Sequence, residues 1–202
     1  MNTSITPTDR EGIAKFLFEL GMLKKMPRLG YPFLGSGGES IADHSFRVAF
    51  IAHILALMAN HPDPAKIVIM ALVHDIQEAR TGDHNYVHKR YVSVNEEKAF
   101  ADATENLPWK ELYRAYWDEY RSGSSEASKL VHDADQLDLL LELKEQKDLG
   151  NPYASKWIKY LLKRLSTEQG KLLSESILKT DWTDWWFKGN DDWWVKNAKS
   201  EK

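Results

Sequence analysis

Two histidines and two aspartates in apolar surroundings are the residues of this chain best able to do chemistry. His74 and Asp75 are adjacent within IVIMALVHDIQEA; His44 lies 30 positions earlier, in ADHSFRVAFIAHI, and Asp135 lies 60 positions after Asp75, in VHDADQLDLLL. A carboxylate inside an apolar helix is costly unless it is ion-paired or holds a metal. Neighbouring helix residues point about 100° apart, so His74 and Asp75 can serve one ion only if it sits beside the helix edge. Mixed nitrogen and oxygen donors suit Mn, Fe, Co or Zn rather than Ca. With Cys 0, thiolate zinc, iron–sulfur clusters, disulfides and a cysteine nucleophile are all excluded. So few protein ligands would leave coordination positions for water and substrate.

Other polar residues are spaced to act around such an ion. Glu78 follows His74 by four and Asp75 by three, on the same helix face. A carboxylate there can hold an attacking water or protonate a leaving alkoxide; the alternative is a salt bridge to Arg80 or Arg47. Arg47 follows His44 by three, placed either to pair a carboxylate behind the site or to touch substrate. Arg28 lies in a loop, where its planar fork could reach a phosphate. Lys89, in a later loop, is a second phosphate candidate.

The elements that must position these residues read as helices almost throughout. Thr8 and Glu11 form a capping-box pattern before the stripe Ile13, Phe16, Leu17, Leu20. Glycines and prolines make 27–39 a loop. Ser40, with Asp43 three residues on, caps a helix to about Asn60, and Asp63-Pro64 opens one over 64–80 that ends near Gly82. After a polar loop at 82–92, Ser93 and Glu96 predict a helix to about Asn106. Pro108 predicts another through Arg121, with Leu112, Tyr116 and Tyr120 on one face. A turn at 122–125 leads to a long helix carrying Leu130, Leu137, Leu140, Leu141 and Leu143 and ending near Gly150. Pro152 and Thr167 open two more. Strand signals are almost absent, so the expected fold class is all-α.

Length and charge narrow the rest. The 202 residues suit one domain, 1–202, with a motif-bearing core of about 13–150 and C-terminal helices over 151–202. Lys+Arg 27 against Asp+Glu 30 gives no basic field, which argues against a nucleic-acid polymer as partner. No uninterrupted apolar stretch of about 18 residues predicts a membrane span. The N-terminus lacks the basic and apolar segments of a secretory signal, so a cytoplasmic protein is expected.

In order and spacing, four segments resemble the HD-domain phosphohydrolase superfamily, in its 5′-deoxynucleotidase-like branch: PRLGY at 27–31, ESIADHSFRVA at 39–49, LVHDIQEARTGD at 72–83 and LVHDADQLDLLLE at 130–142. The resemblance implies an HD-domain helical bundle with one divalent metal in its core (Mn, Co, Fe, Zn or Mg), held by His44, His74, Asp75 and Asp135. Asp133 competes for the last place, but the family ligand directly precedes the leucine-rich run. The resemblance further implies Glu78 as general acid or base, Arg28 and Tyr31 at the phosphate and nucleoside, and Asp83 at the sugar hydroxyls. Arg47 and Lys89 complete the expected substrate-binding set. The implied activity is hydrolysis of deoxynucleoside 5′-monophosphates. A triphosphate, alarmone or cyclic dinucleotide substrate is the alternative among enzymes, and a non-catalytic binding module the alternative outside them.

Two segments depart from that pattern. HNYVHKRYVSVNEEK after Asp83 is long and basic and reads as a lid that sets specificity, with His84 and His88 in it. Trp182, Trp185, Trp186, Trp193 and Trp194 crowd the C-terminus. The first three are spaced as one aromatic helix face, expected to dock on the domain or on a second subunit of a homodimer.

Overall fold

The fold is built on long apolar helices whose start signals are strong. In the computed structural model, which describes residues 5–189, these are α1 (Pro7–Leu20), α2 (Tyr31–Leu34), α3 (Ile41–Met58), α4 (Pro64–Val73), α5 (Glu78–Thr81), α6 (Glu96–Thr104), α7 (Lys110–Ser122), α8 (Glu126–Asp148), α9 (Ala154–Leu161) and α10 (Glu168–Lys179). No strand occurs among the described residues. An isolated bridge, Pro27 to Ser40, closes the base of the loop between them.

Capping fixes where the central helices start. Ser40 accepts from the Asp43 amide while Asp43 accepts from the Ser40 amide, and Asp63 accepts from the Lys66 amide ahead of Pro64. Such a cap is worth about 1 kcal/mol. α3 packs along both α4 and α8, and α9 and α10 close over α8. Leu130, Leu137, Leu140 and Leu143 of α8 are fully buried in this core. Truncating any one of them to alanine should cost about 2–5 kcal/mol. α3 is long and apolar enough to cross a membrane, but half of it is buried in the fold, as a core helix is.

A second cluster gathers Phe16, Val73, Ile76, Phe100, Leu107 and Trp117, with Phe100 stacked on Trp117 at 4.5 Å. Through Val73 and Ile76 it packs against the His74-Asp75 segment.

Several boundaries differ from the sequence expectation. α1 is capped by Thr6 and Asp9, not Thr8 and Glu11, because Pro7 takes the first helical position. Leu17 is left exposed. Asn95, not Ser93, caps α6. α7 begins at Lys110 behind Trp109, and it buries Trp117 while Leu112 faces solvent. Helix 64–80 is broken after Val73. Trp182, Trp185 and Trp186 lie in turns rather than on a helix, with Trp182 and Trp186 edge to face at 6.3 Å. Trp193 and Trp194 lie outside the described residues.

Candidate metal centre and active-site cavity

The break after Val73 shapes the site. His74–Gln77 form a tight turn, followed by i to i−3 hydrogen bonds from Glu78 to Asp75 (3.0 Å), Ala79 to Ile76 (3.1 Å) and Arg80 to Gln77 (3.0 Å). The Ala71 carbonyl, which an unbroken helix would offer to the Asp75 amide, lies 2.6 Å from His74 Nδ1. Residues three apart eclipse in such tight winding, so Asp75 and Glu78 face the same way. Val73 and Ile76 anchor the turn in the second cluster, and Trp117 Nε1 donates to Gln77 Oε1 at 3.2 Å.

His44 on α3 meets this turn from below. Donor atoms of His44, His74 and Asp75 lie within 4.8 Å of one another. His74 Nε2 is 3.0 Å from Asp75 Oδ2, and His44 Nε2 is 3.6 Å from that oxygen and 3.3 Å from Asp135 Oδ1. Asp135 thus joins the group through His44. The outer nitrogens are committed elsewhere: His44 Nδ1 lies 2.6 Å from Asp138 Oδ2, and His74 Nδ1 faces Ala71. Both Nε2 atoms and Glu78 Oε2 are buried without a hydrogen bond among the described residues. Orphaned buried polar atoms are costly, about 1–3 kcal/mol each. Two imidazole nitrogens aimed at shared carboxylates make a donor set that a divalent cation fits.

Without a cation the cluster is held together as ion pairs. Burial disfavours charge on His44, but the Asp135 and Asp138 carboxylates outweigh it and push its pKa up to about 10. Burial works against ionised Asp75 and Asp135 too, yet the adjoining histidines and Arg28 hold both below the usual carboxylate range. Glu78 behaves oppositely. Burial, reinforced by Asp75 and Asp83, pushes it up to about 9 despite Arg28 and His44, so in the metal-free protein it carries a proton at neutral pH.

A cavity opens above the cluster, walled by Arg28, Tyr31, Asp75, Glu78, Asp83, Lys89 and Asp135 among others. Arg28 Nη1 is 3.8 Å from Asp75 and 3.6 Å from Asp83. Asp83 Oδ2 accepts from the Leu29 amide at 2.6 Å, fixing the loop that carries Arg28. Tyr31 donates its hydroxyl to Glu142 at 2.8 Å. Its ring needs Gly37, whose φ is +82° and where a β-carbon would come within 2.7 Å of that ring. Arg47 is not in the cavity wall. It donates to Asp138 at 2.5 Å and to Glu142, the carboxylate-pairing alternative.

Asp133 and Asp135 part company. Asp133 is buried and accepts from the amides of Ser166 (2.9 Å) and Thr167 (2.8 Å) and from both hydroxyls, tying α8 to the start of α10. The loop after Asp83 is strapped at both sides: Asn85 donates to the Leu29 carbonyl at 2.9 Å, and Arg164 reaches the Tyr86 hydroxyl. His84 lines the cavity, with its ring 6.0 Å from that of His88. Sequence reasoning missed Asp138, Glu142, Tyr120 and Trp157. Asp138 could have been found as the residue three after Asp135. Tyr120, whose ring packs 5.3 Å from His74, gave no signal beyond its place in an amphipathic helix.

The helical bundle and its His, His-Asp and Asp cluster define an HD domain, and the chain belongs to that family, whose model matches residues 20–176. The chain is 35% identical over 147 residues to 5'-deoxynucleotidase HDDC2 of Mus musculus, covering 69% of this chain and 72% of that protein. It is 31% identical over 174 residues to 5'-deoxynucleotidase hdd1 of Schizosaccharomyces pombe, covering 74% and 84%. The crystal structure of the PH0347 protein from Pyrococcus horikoshii OT3 matches with a TM-score of 0.67 at 32% identity, covering 82% of this chain and 98% of that one.

Proposed function

We propose that this protein is a divalent-metal-dependent phosphomonoesterase that releases phosphate from nucleoside 5′-monophosphates, with deoxynucleotides preferred. The observation that carries the reading is the pair of buried, hydrogen-bond-free Nε2 atoms of His44 and His74 beside Asp75, at the foot of a cavity that Arg28 overhangs. The names of the 5'-deoxynucleotidase relatives support the substrate class.

In this reading His44, His74, Asp75 and Asp135 hold the cation. Bound there, it supplies Lewis-acid activation of water and neutralisation of phosphoryl charge. Arg28 holds the phosphate, its guanidinium kept charged by the carboxylates around it. Lys89 adds positive charge at the rim, Tyr31 flanks the nucleoside, and Asp83 meets the sugar. Arg47 acts behind the site, on Asp138. As water forms its bond to phosphorus, the bond from phosphorus to the 5′ oxygen breaks. Glu78 gives its proton to that departing oxygen and recovers one from the attacking water.

Mn or Co is the proposed cation, with Fe, Zn and Mg as competitors, because nitrogen and oxygen donors bind all of them and availability decides. The chain is proposed to fold as one domain and to work in the cytoplasm on small nucleotides, without nucleic-acid or membrane partners. A homodimer is supported by the exposed stripe Phe46, Phe50, Ile54 and Leu57 along α3.

Phosphate release from deoxynucleoside monophosphates, ribonucleoside monophosphates and triphosphates, each with added Mn, Co or Mg, tests the substrate. Deoxynucleoside monophosphates should be cleaved fastest. Faster release from triphosphates would overturn the assignment.

A further inference from the structure

The cavity changes character along its length, and α8 measures the change. Asp135, Leu139 and Leu143 lie on one face of this helix, at successive turns, and all three line the cavity. At 1.5 Å of rise per residue, Leu139 stands about 6 Å and Leu143 about 12 Å along the axis from Asp135. The charged groups Asp75, Glu78 and Arg28 gather around Asp135. Beyond them Trp157 of α9 joins the two leucines in an apolar side of the wall, while Glu39 and Glu142 line the cavity beside Tyr31.

The loop carrying Arg28 runs in the same direction. Arg28 approaches Asp75, the Leu29 amide is held by Asp83, and Gly30 sits against the Trp157 ring, where a β-carbon would lie 3.7 Å away. Leu139, Leu143, Trp157 and Tyr86 also line a neighbouring cavity, so these four side chains stand between the two. Tyr86 is held there by Arg164, whose guanidinium lies 4.5 Å from the Tyr86 ring centroid.

We propose that this apolar side is the nucleobase subsite, with the Trp157 indole as its specificity-determining surface and Leu139 and Leu143 as its floor. The assignment rests on the phosphomonoesterase reading above and adds to it the part of the substrate that the metal-side residues do not touch. A planar, weakly hydrated base, one sugar removed from the phosphate, matches the order of charged, polar and apolar groups along the cavity. Stacking on an aromatic ring accepts any base by its π-face.

The experiment compares a deoxynucleoside 5′-monophosphate with 2-deoxyribose 5-phosphate, which has the same phosphate and sugar and no base, using Mn-loaded full-length protein. Wild type should prefer the nucleotide. Trp157→Ala should lower kcat/KM for the nucleotide about 10-fold or more, mainly through KM, and leave that for the sugar phosphate within about twofold. Trp157→Phe, which keeps a planar face, should retain most of the preference. If Trp157→Ala loses the same factor on both substrates, or loses nothing on the nucleotide, the subsite is wrong while the hydrolase reading stands. If wild type cleaves neither substrate, the hydrolase reading itself fails and the subsite falls with it.

Discussion

Asp138 Oδ2 lies 2.6 Å from His44 Nδ1, and Arg47 Nε holds the other oxygen of the same carboxylate at 2.5 Å. The carboxylate and both nitrogens are therefore locked behind the cluster, which leaves His44 Nε2 aimed at Asp75 and Asp135. A carboxylate behind a ligating imidazole fixes its orientation and raises its basicity.

Replacing that carboxylate should weaken the centre without dismantling it. Asp138→Asn is expected to lower metal affinity about 10- to 100-fold, read by calorimetric titration of metal-free protein. Unchanged affinity would show that Asp138 serves packing alone.

The two aspartates of VHDADQ should separate cleanly. Asp133→Asn removes the charge that gathers the Ser166 and Thr167 amides and should cost about 1–3 kcal/mol of stability with metal content retained. Asp135→Asn should lose metal instead. Melting curves and metal analysis on the two variants decide this, and metal loss confined to Asp133→Asn would reverse the assignment.

Glu78→Gln keeps the shape of the side chain and removes the proton it exchanges. It should lower kcat about 10²- to 10⁴-fold while the protein still binds one cation per chain. An active Glu78→Gln variant would transfer the proton role to another group.

The metal-free protein should lose stability as pH rises. Glu78 keeps its proton up to about 9 when folded and releases it near 4.5 when unfolded, so its contribution declines from pH 4.5 through 9. His44, raised from 6.5 to about 10, gives a contribution that is fully present below 6.5 and lost as pH climbs through 10. Tm without metal should therefore fall between pH 6.5 and 9. A cation must displace the His44 proton, so added Mn should raise Tm more at pH 8.5 than at pH 6.5. A rise in the metal-free Tm over this range, or a larger Mn effect at pH 6.5, would contradict these assignments.

Much of this architecture is legible in the sequence where a local signal is strong. The Ser40–Asp43 box, the Asp63-Pro64 start and the Thr167 cap are where the pattern puts them, since each depends on neighbours in the chain. Thr8 and Ser93 lose to better-placed neighbours, Thr6 ahead of Pro7 and Asn95. The break at His74 has no proline or glycine to announce it. It arises because the His74 ring takes the Ala71 carbonyl and because Val73, Ile76 and Gln77 are held by side chains far along the chain. His44, His74 and Asp75, which the structure brings together, are singled out by spacing and family likeness, as is Asp135 beside His44. Tyr120 and Trp157 are not, because their places depend on how α7 and α9 lie against the cavity.

The most direct measurement is phosphate release from a deoxynucleoside 5′-monophosphate by chelator-stripped protein titrated with Mn or Co. Activity should be absent at the start, rise with added metal and level off at one equivalent per chain. The His74→Ala and Asp75→Ala variants should bind no metal and stay inactive. Full activity in the stripped protein, or a metal-loaded protein that releases no phosphate, would contradict the assignment of His44, His74, Asp75 and Asp135 as the centre of a phosphomonoesterase.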